Sequence, residues 1–289
     1  MMESIEDWQI NKKITPTIYY MMQHGFNFNN HYSPDYVVGK TANTEFIANT
    51  GIYPNINQMT PHYAYTNNAF PFSIANVFKN EGYIVNSFHR SFQHIYNRKN
   101  MHETLGYKKY HTYLDMGIKD EDIDYDSNII INGYDKIVND EKFMSFIITY
   151  TGHSPYLYSE DKCKKNLKEI EKIKSYNNLK EEEICALSAA KETDNMFKIL
   201  LNKLEKDNKL DDTIIVAFSD HPNYVKLNEE ETNLLNKTLF FIYSNELKSN
   251  QINTLTSSIN ILPLNKKLEE HINYSKALLI SDYYKTQKN

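Results

Sequence analysis

The stretch TIIVAFSDH, residues 213–221, decides the fold prediction and contains the first candidate site. Residues 213–218 are all apolar or β-branched, and so short an apolar run is typical of a buried strand. Strands that are apolar along their whole length favour a parallel sheet covered on both faces. In such sheets functional groups gather beyond the carboxyl ends of the strands. We therefore predict an α/β fold, with Asp220 and His221 at its functional edge.

Three further segments have the same character, namely YIVNSF (83–88), FMSFIITYT (143–151) and TLFFIYS (238–244). Apolar residues at helical spacing lie at 71–82, which ends on Gly82, and at 181–210. Strands alternating with helices predict a mainly parallel central sheet with helices on both faces. Because no internal repeat and no linker divides the chain, we predict a single domain over residues 1–289.

Histidines follow three of these predicted strands. His89 follows 83–88, Gly152-His153 follows 143–151, and Asp220-His221 closes the opening stretch. A carboxylate beside an imidazole suits Zn²⁺, Mn²⁺ or a similar ion, and a metal-activated hydroxyl can attack phosphorus or sulfur. On the pattern alone, His89 and His153 are also compatible with structural roles in the core.

The turn Gly39-Lys40-Thr41 looks like the end of a phosphate-binding P-loop, but its surroundings exclude that interpretation. A P-loop needs another glycine five residues before Gly39, so that backbone N–H groups surround the phosphates. That position is Pro34, which has no N–H and a fixed φ. Thr41 is therefore either an ordinary turn residue or a hydroxyl with another chemical role.

Composition and charge limit the possible functions. A net charge of −5 and a pI near 6.1 give no global basis for binding nucleic acid. No apolar run reaches the roughly 20 residues that span a bilayer, and the opening MMESIEDW shows no signal peptide. Cys163 and Cys185 are too few for a four-cysteine zinc site. A disulfide between them is possible, but we expect two unpaired thiols, and we expect residues 160–180 to form a charged surface segment.

Six short motifs in order resemble the extracellular catalytic domain of lipoteichoic acid synthases and related phosphoglycerol transferases. That family belongs to the sulfatase branch of the alkaline phosphatase superfamily. The motifs are MMES (1–4), GKTANTEF (39–46), SFHRSFQHIYNRKNMHETLGY (87–107), TYTGHSPY (149–156), FSDH (218–221) and SSINILP (257–263). Each motif is weak alone, and their order over roughly residues 1–284 carries the resemblance.

The resemblance implies a sulfatase-like catalytic domain with one divalent metal ion, Mn²⁺ in preference to Mg²⁺ or Zn²⁺. The implied metal ligands are Glu3, Thr41, Asp220 and His221, and Thr41 is also the implied nucleophile. The implied substrate-binding residues are His89, Arg98 and His153. The family's first strand and membrane region should precede Glu3, and we expect this chain to lack both.

The implied activity is transfer of phosphoglycerol from phosphatidylglycerol to an acceptor hydroxyl on a glycerol-phosphate chain end. Its partners would be a phospholipid head group and that acceptor, with neither nucleic acid nor a protein partner. Its place would be the outer face of a bacterial membrane, in contact with the cell wall. Two alternatives stay open: a sulfatase or phosphodiesterase-type hydrolase of the same superfamily, and a degenerate, non-catalytic domain. Formylglycine sulfatases are disfavoured because Thr41 lies outside a C/S-x-P-x-R context.

Overall fold

The computed structural model describes residues 1–55, 60–139, 142–173, 178–225 and 236–262. Within these ranges the helices are α1 (Pro16–His24), α2 (Lys40–Thr50), α3 (Pro61–Ala64), α4 (Ile74–Asn80), α5 (Arg98–Leu105), α6 (Tyr113–Met116), α7 (Ser127–Ile137), α8 (Asp161–Glu171) and α9 (Glu181–Lys206). The strands are β1 (Phe26–Phe28), β2 (His31–Tyr32), β3 (Ile84–Phe88), β4 (Lys109–His111), β5 (Phe143–Ile147), β6 (Ile215–Phe218), β7 (Phe240–Tyr243), β8 (Asn250–Ile252) and β9 (Thr256–Ser257). The part of the resemblance from residue 263 onward lies outside the described residues.

The predicted α/β architecture is confirmed. One sheet has the order β4-β3-β5, with all strands parallel, and a second has the order β6-β7-β1-β8. Strand β7 runs antiparallel to both of its neighbours, whereas β1 and β8 are parallel. A short parallel pair, β2 with β9, lies beside them. The four strands and two helices predicted from the sequence are all present, with shorter bounds. The extent of the domain over residues 1–289 stays a prediction.

The first two residues join the two sheets. Met1 donates from its N-terminal nitrogen to the Ile147 carbonyl at 2.8 Å, and its own carbonyl accepts from Thr149 N at 3.1 Å. On the other side, Met2 N donates to the Phe218 carbonyl at 2.7 Å, and a parallel bridge pairs Met2 with Ser219. The start of the chain therefore lies as a short strand between β5 and β6, immediately before Glu3.

Hydrophobic clusters cover both faces of this sheet. Side chains of α1, α7 and α9 pack on one face, where they meet Ala217 of β6 and Phe241 of β7. Side chains of α2, α4 and α5 pack on the other, where they meet Phe218 and Phe240. Adjacent strand residues thus point to opposite clusters, which is the alternation that a pleated strand requires. The long apolar runs predict this burial on both faces correctly.

The expectation that Cys163 and Cys185 are unpaired thiols is wrong. Cys163 and Cys185 form a disulfide that joins α8 to α9, and both cysteines are buried. Residues 161–171 are a helix with one buried side, because Ile170 packs in a cluster with Leu187 of α9. Most lysines and glutamates of this helix lie on its outer side, as expected for a charged surface segment, although Lys162 is buried.

Candidate active site

Glu3, Asp220 and His221 converge where the N-terminal residues meet the carboxyl end of β6. Their potential ligand atoms all lie within 4.8 Å of one another. Asp220 N donates to the Met2 carbonyl at 3.1 Å, and Ser4 N donates back to Asp220 Oδ1 at 2.9 Å. These backbone contacts fix both carboxylates beside each other. The His221 Nε2 atom lies 3.3 Å from Glu3 Oε1 and 3.4 Å from Asp220 Oδ2.

The three groups depend on one another electrostatically. Burial raises the pKa of Asp220 to about 7, and the charge of Glu3 adds to this effect. Burial would also raise the pKa of Glu3, but the hydrogen bond and charge of His221 lower it to about 2. Burial would lower the pKa of His221, but Asp220 and Glu3 together raise it to about 9. Two adjacent buried carboxylates need positive charge, and here the imidazolium supplies it.

The same residues fit a divalent cation. Asp220 Oδ2 is buried and accepts no hydrogen bond from the described residues, so this oxygen has lone pairs available to a cation. Two carboxylates and one imidazole are a donor set that suits Zn²⁺ or Mn²⁺. A cation of charge +2 would replace the single proton of His221 as the partner of both carboxylates. The donors present therefore fit a divalent ion of the kind that the resemblance implies.

Thr41 lies against this cluster. It occupies the first turn of α2, directly after Lys40, and Gly39 precedes the helix in the left-handed region at φ 65°. The Thr41 hydroxyl lies 3.2 Å from Glu3 Oε2 and 3.4 Å from His221 Nε2. One turn later on the same helix, Thr44 donates to the Asp220 carbonyl at 2.8 Å and holds α2 against the end of β6. The hydroxyl thus lies at a helix N-terminus, where the helix dipole favours negative charge.

Arg98 is connected to Thr41 through helix α2. Its guanidinium is 2% exposed, and its Nε donates to Glu45 Oε2 at 2.9 Å. Glu45 comes four residues after Thr41, so both side chains leave the same side of α2. Burial would lower the pKa of Arg98, but Glu45, Tyr110 and Glu3 raise it. The ion pair between Arg98 and Glu45 is made through Nε, and a guanidinium has two further nitrogens that are able to contact an anion.

The loop before Arg98 has an unusual backbone. Tyr96 and Asn97 are consecutive non-glycine residues with positive φ, 54° and 55° respectively. Such conformations cost free energy and tend to occur where the surrounding structure holds a functional residue in place. Asn97 is held by its side-chain amide, which donates to the His62 carbonyl at 3.1 Å. This turn ends where α5 begins, so it sets the position of the Arg98 guanidinium.

His89 and His153 take different positions at the rim. His89 is 3% exposed and its Nδ1 donates to the Ile148 carbonyl at 2.8 Å. Burial, followed by the charge of Arg98, lowers its pKa to about 3, so the ring is neutral. His153 is exposed and stacks on Tyr150 at 5.1 Å between ring centroids. Its charge contributes to the low pKa of Glu3, although no described hydrogen bond joins it to the metal-site residues.

Sequence reasoning missed two groups of residues around the site. Glu45 is fully buried and also lies 2.6 Å from His102 Nε2. The sequence analysis assigned no role to either residue. GKTANTEF does place Glu45 one helical turn after Thr41, but nothing in the sequence indicates its contact with His102. Arg90 was also missed: its guanidinium carbon lies 3.2 Å from the centre of the Tyr150 ring. Its position directly after His89 was the only signal for it in the sequence.

The fold is that of the alkaline phosphatase superfamily, and Glu3, Asp220 and His221 form a group that could hold a metal ion. The Sulfatase family model matches residues 1–264, and the chain belongs to the sulfatase family. It is 30% identical over 210 residues to a protein of Rhizobium meliloti that is provisionally assigned to cyclic beta-1,2-glucan modification. That match covers 66% of this chain and 30% of the relative, so the chain spans about a third of the relative's length.

Solved structures that share the fold include the following two proteins. The lipoteichoic acid synthase LtaP from Listeria monocytogenes is 19% identical, with a TM-score of 0.72 over 92% of this chain and 70% of that chain. The phosphoglycerol transferase GacH of Streptococcus pyogenes, in complex with sn-glycerol-1-phosphate, is 18% identical. Its TM-score is 0.62 over 95% of this chain and 77% of that chain. Among the residues described, no helix is both long and apolar enough to span a membrane.

Proposed function

We propose that this chain is a metal-dependent transferase that moves a phosphoglycerol group from phosphatidylglycerol to an acceptor hydroxyl, with Thr41 as the nucleophile. The observation that carries the proposal is the position of the Thr41 hydroxyl. It lies 3.2 Å from Glu3 Oε2 at the edge of a cluster of metal-ligand type, at the N-terminus of a helix. The similarity to two proteins named for lipoteichoic acid synthesis and phosphoglycerol transfer supports the substrate class.

In this proposal Glu3, Asp220 and His221 would hold one divalent ion, Mn²⁺ for preference, with the Thr41 oxygen completing the set. The ion would supply Lewis-acid stabilisation of negative charge on oxygen. The protein adds the field of the α2 N-terminus at the same oxygen. Both effects favour the ionised form of an alcohol that is otherwise a poor nucleophile at neutral pH.

The reaction would proceed in two displacements at phosphorus. In the first, Thr41 Oγ1 forms a bond to phosphorus, and the bond from phosphorus to the diacylglycerol oxygen breaks. The proton lost by Thr41 ends on diacylglycerol, which leaves as the alcohol. In the second, the acceptor hydroxyl forms a bond to phosphorus while the bond to Thr41 breaks, and the acceptor's proton returns to Thr41. The enzyme is then unchanged, and ping-pong kinetics are expected.

Arg98 and His89 would divide the recognition of the phosphoglycerol group. A guanidinium can hold two phosphate oxygens through parallel N–H bonds, and Glu45 orients it for that purpose. The neutral ring of His89, with its proton on Nδ1, has a lone pair on Nε2 that can accept from a glycerol hydroxyl. His153, exposed at the rim, would contact the incoming group.

We also propose that the chain works outside the cytoplasm, at the surface of a bacterial membrane. The buried disulfide between Cys163 and Cys185 supports this location, because disulfides persist in oxidising compartments. The acceptor is proposed as a glycerol-phosphate chain end. The relative assigned to a cyclic glucan makes a sugar hydroxyl the natural second acceptor to assay beside it.

The test is intact-protein mass spectrometry after incubation with phosphatidylglycerol and Mn²⁺. The expected result is a glycerophosphate adduct that maps to Thr41 and disappears when an acceptor is added. An Asp220→Ala variant should lose the bound metal, measured by elemental analysis, and should form no adduct. An adduct that water removes as fast as the acceptor does would make the protein a hydrolase. A folded chain with neither metal nor adduct would refute the enzyme proposal.

A further inference from the structure

Five large apolar side chains are exposed on the loops that carry the candidate site, and we call them the apolar rim. Val37 is 97% exposed, and Val38, Phe92, Ile95 and Leu157 are each 40–52% exposed. A single exposed apolar residue is common on protein surfaces. Several grouped around one opening mark a surface that binds a partner.

Each member of the apolar rim is close in sequence to a proposed site residue. The two valines lie within four residues of Thr41. The phenylalanine and the isoleucine lie between His89 and Arg98, and the leucine comes four residues after His153. Exposed apolar side chains thus occur on three of the loops that supply the candidate site.

These three loops border one opening. The loops after β3 and β5 meet where the ring centroids of His89 and Tyr150 lie 6.4 Å apart. Because β3 and β5 are parallel neighbours, both loops leave the same edge of the sheet. The loop after β5 also reaches Glu3, whose N–H donates to Thr149 Oγ1 at 2.8 Å. The third loop leads into Thr41, whose hydroxyl lies 3.2 Å from Glu3 Oε2, so the candidate metal centre lies at the base of the opening.

The loop after β3 is basic as well as apolar. Residues 89–102 contain Arg90, Arg98 and Lys99 but neither aspartate nor glutamate, although the chain has a net charge of −5. Lys99 is exposed, whereas Arg90 is paired with Asp124 at 2.7 Å. Apolar side chains beside exposed positive charge are typical of segments that lie in the interface of an anionic bilayer. The local charge therefore favours an anionic lipid surface as the partner of the apolar rim.

We propose that the apolar rim inserts into the head-group region of a bilayer that contains anionic lipid, so that the opening of the site faces the membrane. The inference rests on the proposed function, because phosphatidylglycerol presents its phosphate at the membrane surface and keeps its acyl chains in the hydrocarbon. In this position the chain reaches the phosphate without lifting the donor out of the bilayer. The diacylglycerol product also stays in the membrane, so no acyl chain is transferred to water, which would be unfavourable.

The first measurement tests insertion directly. Phe92→Trp adds a tryptophan to a chain whose single tryptophan is Trp8, so the original chain supplies the baseline. Both proteins are mixed with vesicles of phosphatidylglycerol and phosphatidylcholine, with and without bromine on the acyl chains, because bromine quenches tryptophan emission on contact. We expect brominated vesicles to quench the added emission of Phe92→Trp and to leave the emission of the original chain unchanged. Absence of quenching in Phe92→Trp would overturn the proposal.

The second measurement is vesicle affinity by co-sedimentation. Phe92→Ser should weaken binding at least about fivefold, because a large apolar side chain is no longer removed from water. The matched control is Ile131→Ser, which removes a 50% exposed apolar side chain from helix α7 and should bind like the original chain. Lys99→Gln should weaken binding to vesicles that contain phosphatidylglycerol by about fivefold and leave binding to pure phosphatidylcholine unchanged. Equal losses in Phe92→Ser and Ile131→Ser would refute the role of the apolar rim.

Neither measurement requires turnover, so failure of this inference and failure of the proposed function are distinguishable. Vesicle binding through the apolar rim without a Thr41 adduct would support the membrane surface and refute the reaction. An adduct from a short-chain, water-soluble phosphatidylglycerol, with neither vesicle binding nor quenching, would support the reaction and overturn this inference. If the original chain sediments as a dimer and Phe92→Ser as a monomer, without vesicle binding, the apolar rim joins two copies and the membrane assignment is wrong.

Discussion

Replacing Glu45 by glutamine should disturb stability and catalysis together, because one buried carboxylate holds two cationic or polar partners. Glu45 is 0% exposed, and it accepts from Arg98 Nε at 2.9 Å and lies 2.6 Å from His102 Nε2. Burial would raise its pKa, but Arg98, His62 and His102 lower it, so the folded chain holds the ionised form. Glutamine keeps the size of the side chain but has one acceptor oxygen and a donor amide in place of two acceptors.

The size of the effect follows from burial. Arg98 is 2% exposed, and removing one partner of a buried ion pair costs about 3–5 kcal/mol, since the other charge stays buried and unpaired. Because Arg98 would hold the substrate phosphate, its displacement should also slow adduct formation. A misplacement of about 1 Å in a positioning group can reduce the rate on the order of 10²-fold. We therefore expect Glu45→Gln to lose about 3 kcal/mol of unfolding free energy and about 10²-fold in rate.

Urea unfolding and the rate of glycerophosphate adduct formation measure the two effects. The matched control is Glu169→Gln, the same change in a surface pair in which Glu169 is 67% exposed and 3.1 Å from Lys191. An exposed pair contributes about 0–1 kcal/mol, so the control should behave like the original chain. In an Arg98→Met background, Glu45→Gln should cause little further loss of rate. Equal rate losses with and without Arg98 would refute the idea that Glu45 acts through the guanidinium.

Three further predictions concern single groups. Thr41→Ala should abolish the adduct. Thr41→Ser should form less adduct than the original chain, with metal still bound, because serine keeps the oxygen but loses the restricted χ1 of a β-branched residue. If Thr41→Ala still forms the adduct, the nucleophile is another residue. Arg98→Lys should slow turnover without loss of metal, because an ammonium cannot form two parallel hydrogen bonds to phosphate. Steady-state kinetics and elemental analysis measure the two quantities. Full activity of this variant would show that Arg98 does not bind the substrate. The double variant Cys163→Ser, Cys185→Ser lacks the disulfide, which joins residues with a sequence separation of 22. Its unfolding free energy should be lower by about 3 kcal/mol. Equal urea midpoints for the oxidised original chain and the double variant would contradict this prediction.

The apolar runs predict the strands because side chains of these strands pack in hydrophobic clusters on both faces of the sheet. Residues 213–218 and 238–244 read as unbroken apolar runs, and β6 and β7 do place successive side chains in opposite clusters. The antiparallel direction of β7 has no such signal, because an apolar run has the same composition in either direction. The Asp194 on the apolar side of α9 is also explained only by packing. Its Oδ1 accepts from Ile18 N at 2.7 Å, in the first turn of α1.

The residues of the candidate site also differ in how well the sequence predicts them. Asp220, His221 and His89 stand at strand ends, and the general rule for open α/β sheets locates functional groups there. Glu3 and Thr41 have no such signal of their own, and only the ordered motifs connected them to the cluster. The role of Glu45 required the structure, because its partners Arg98 and His102 come from a separate helix more than fifty residues away. Sequence spacing predicts which residues are neighbours on one helix, but it does not predict contacts between helices.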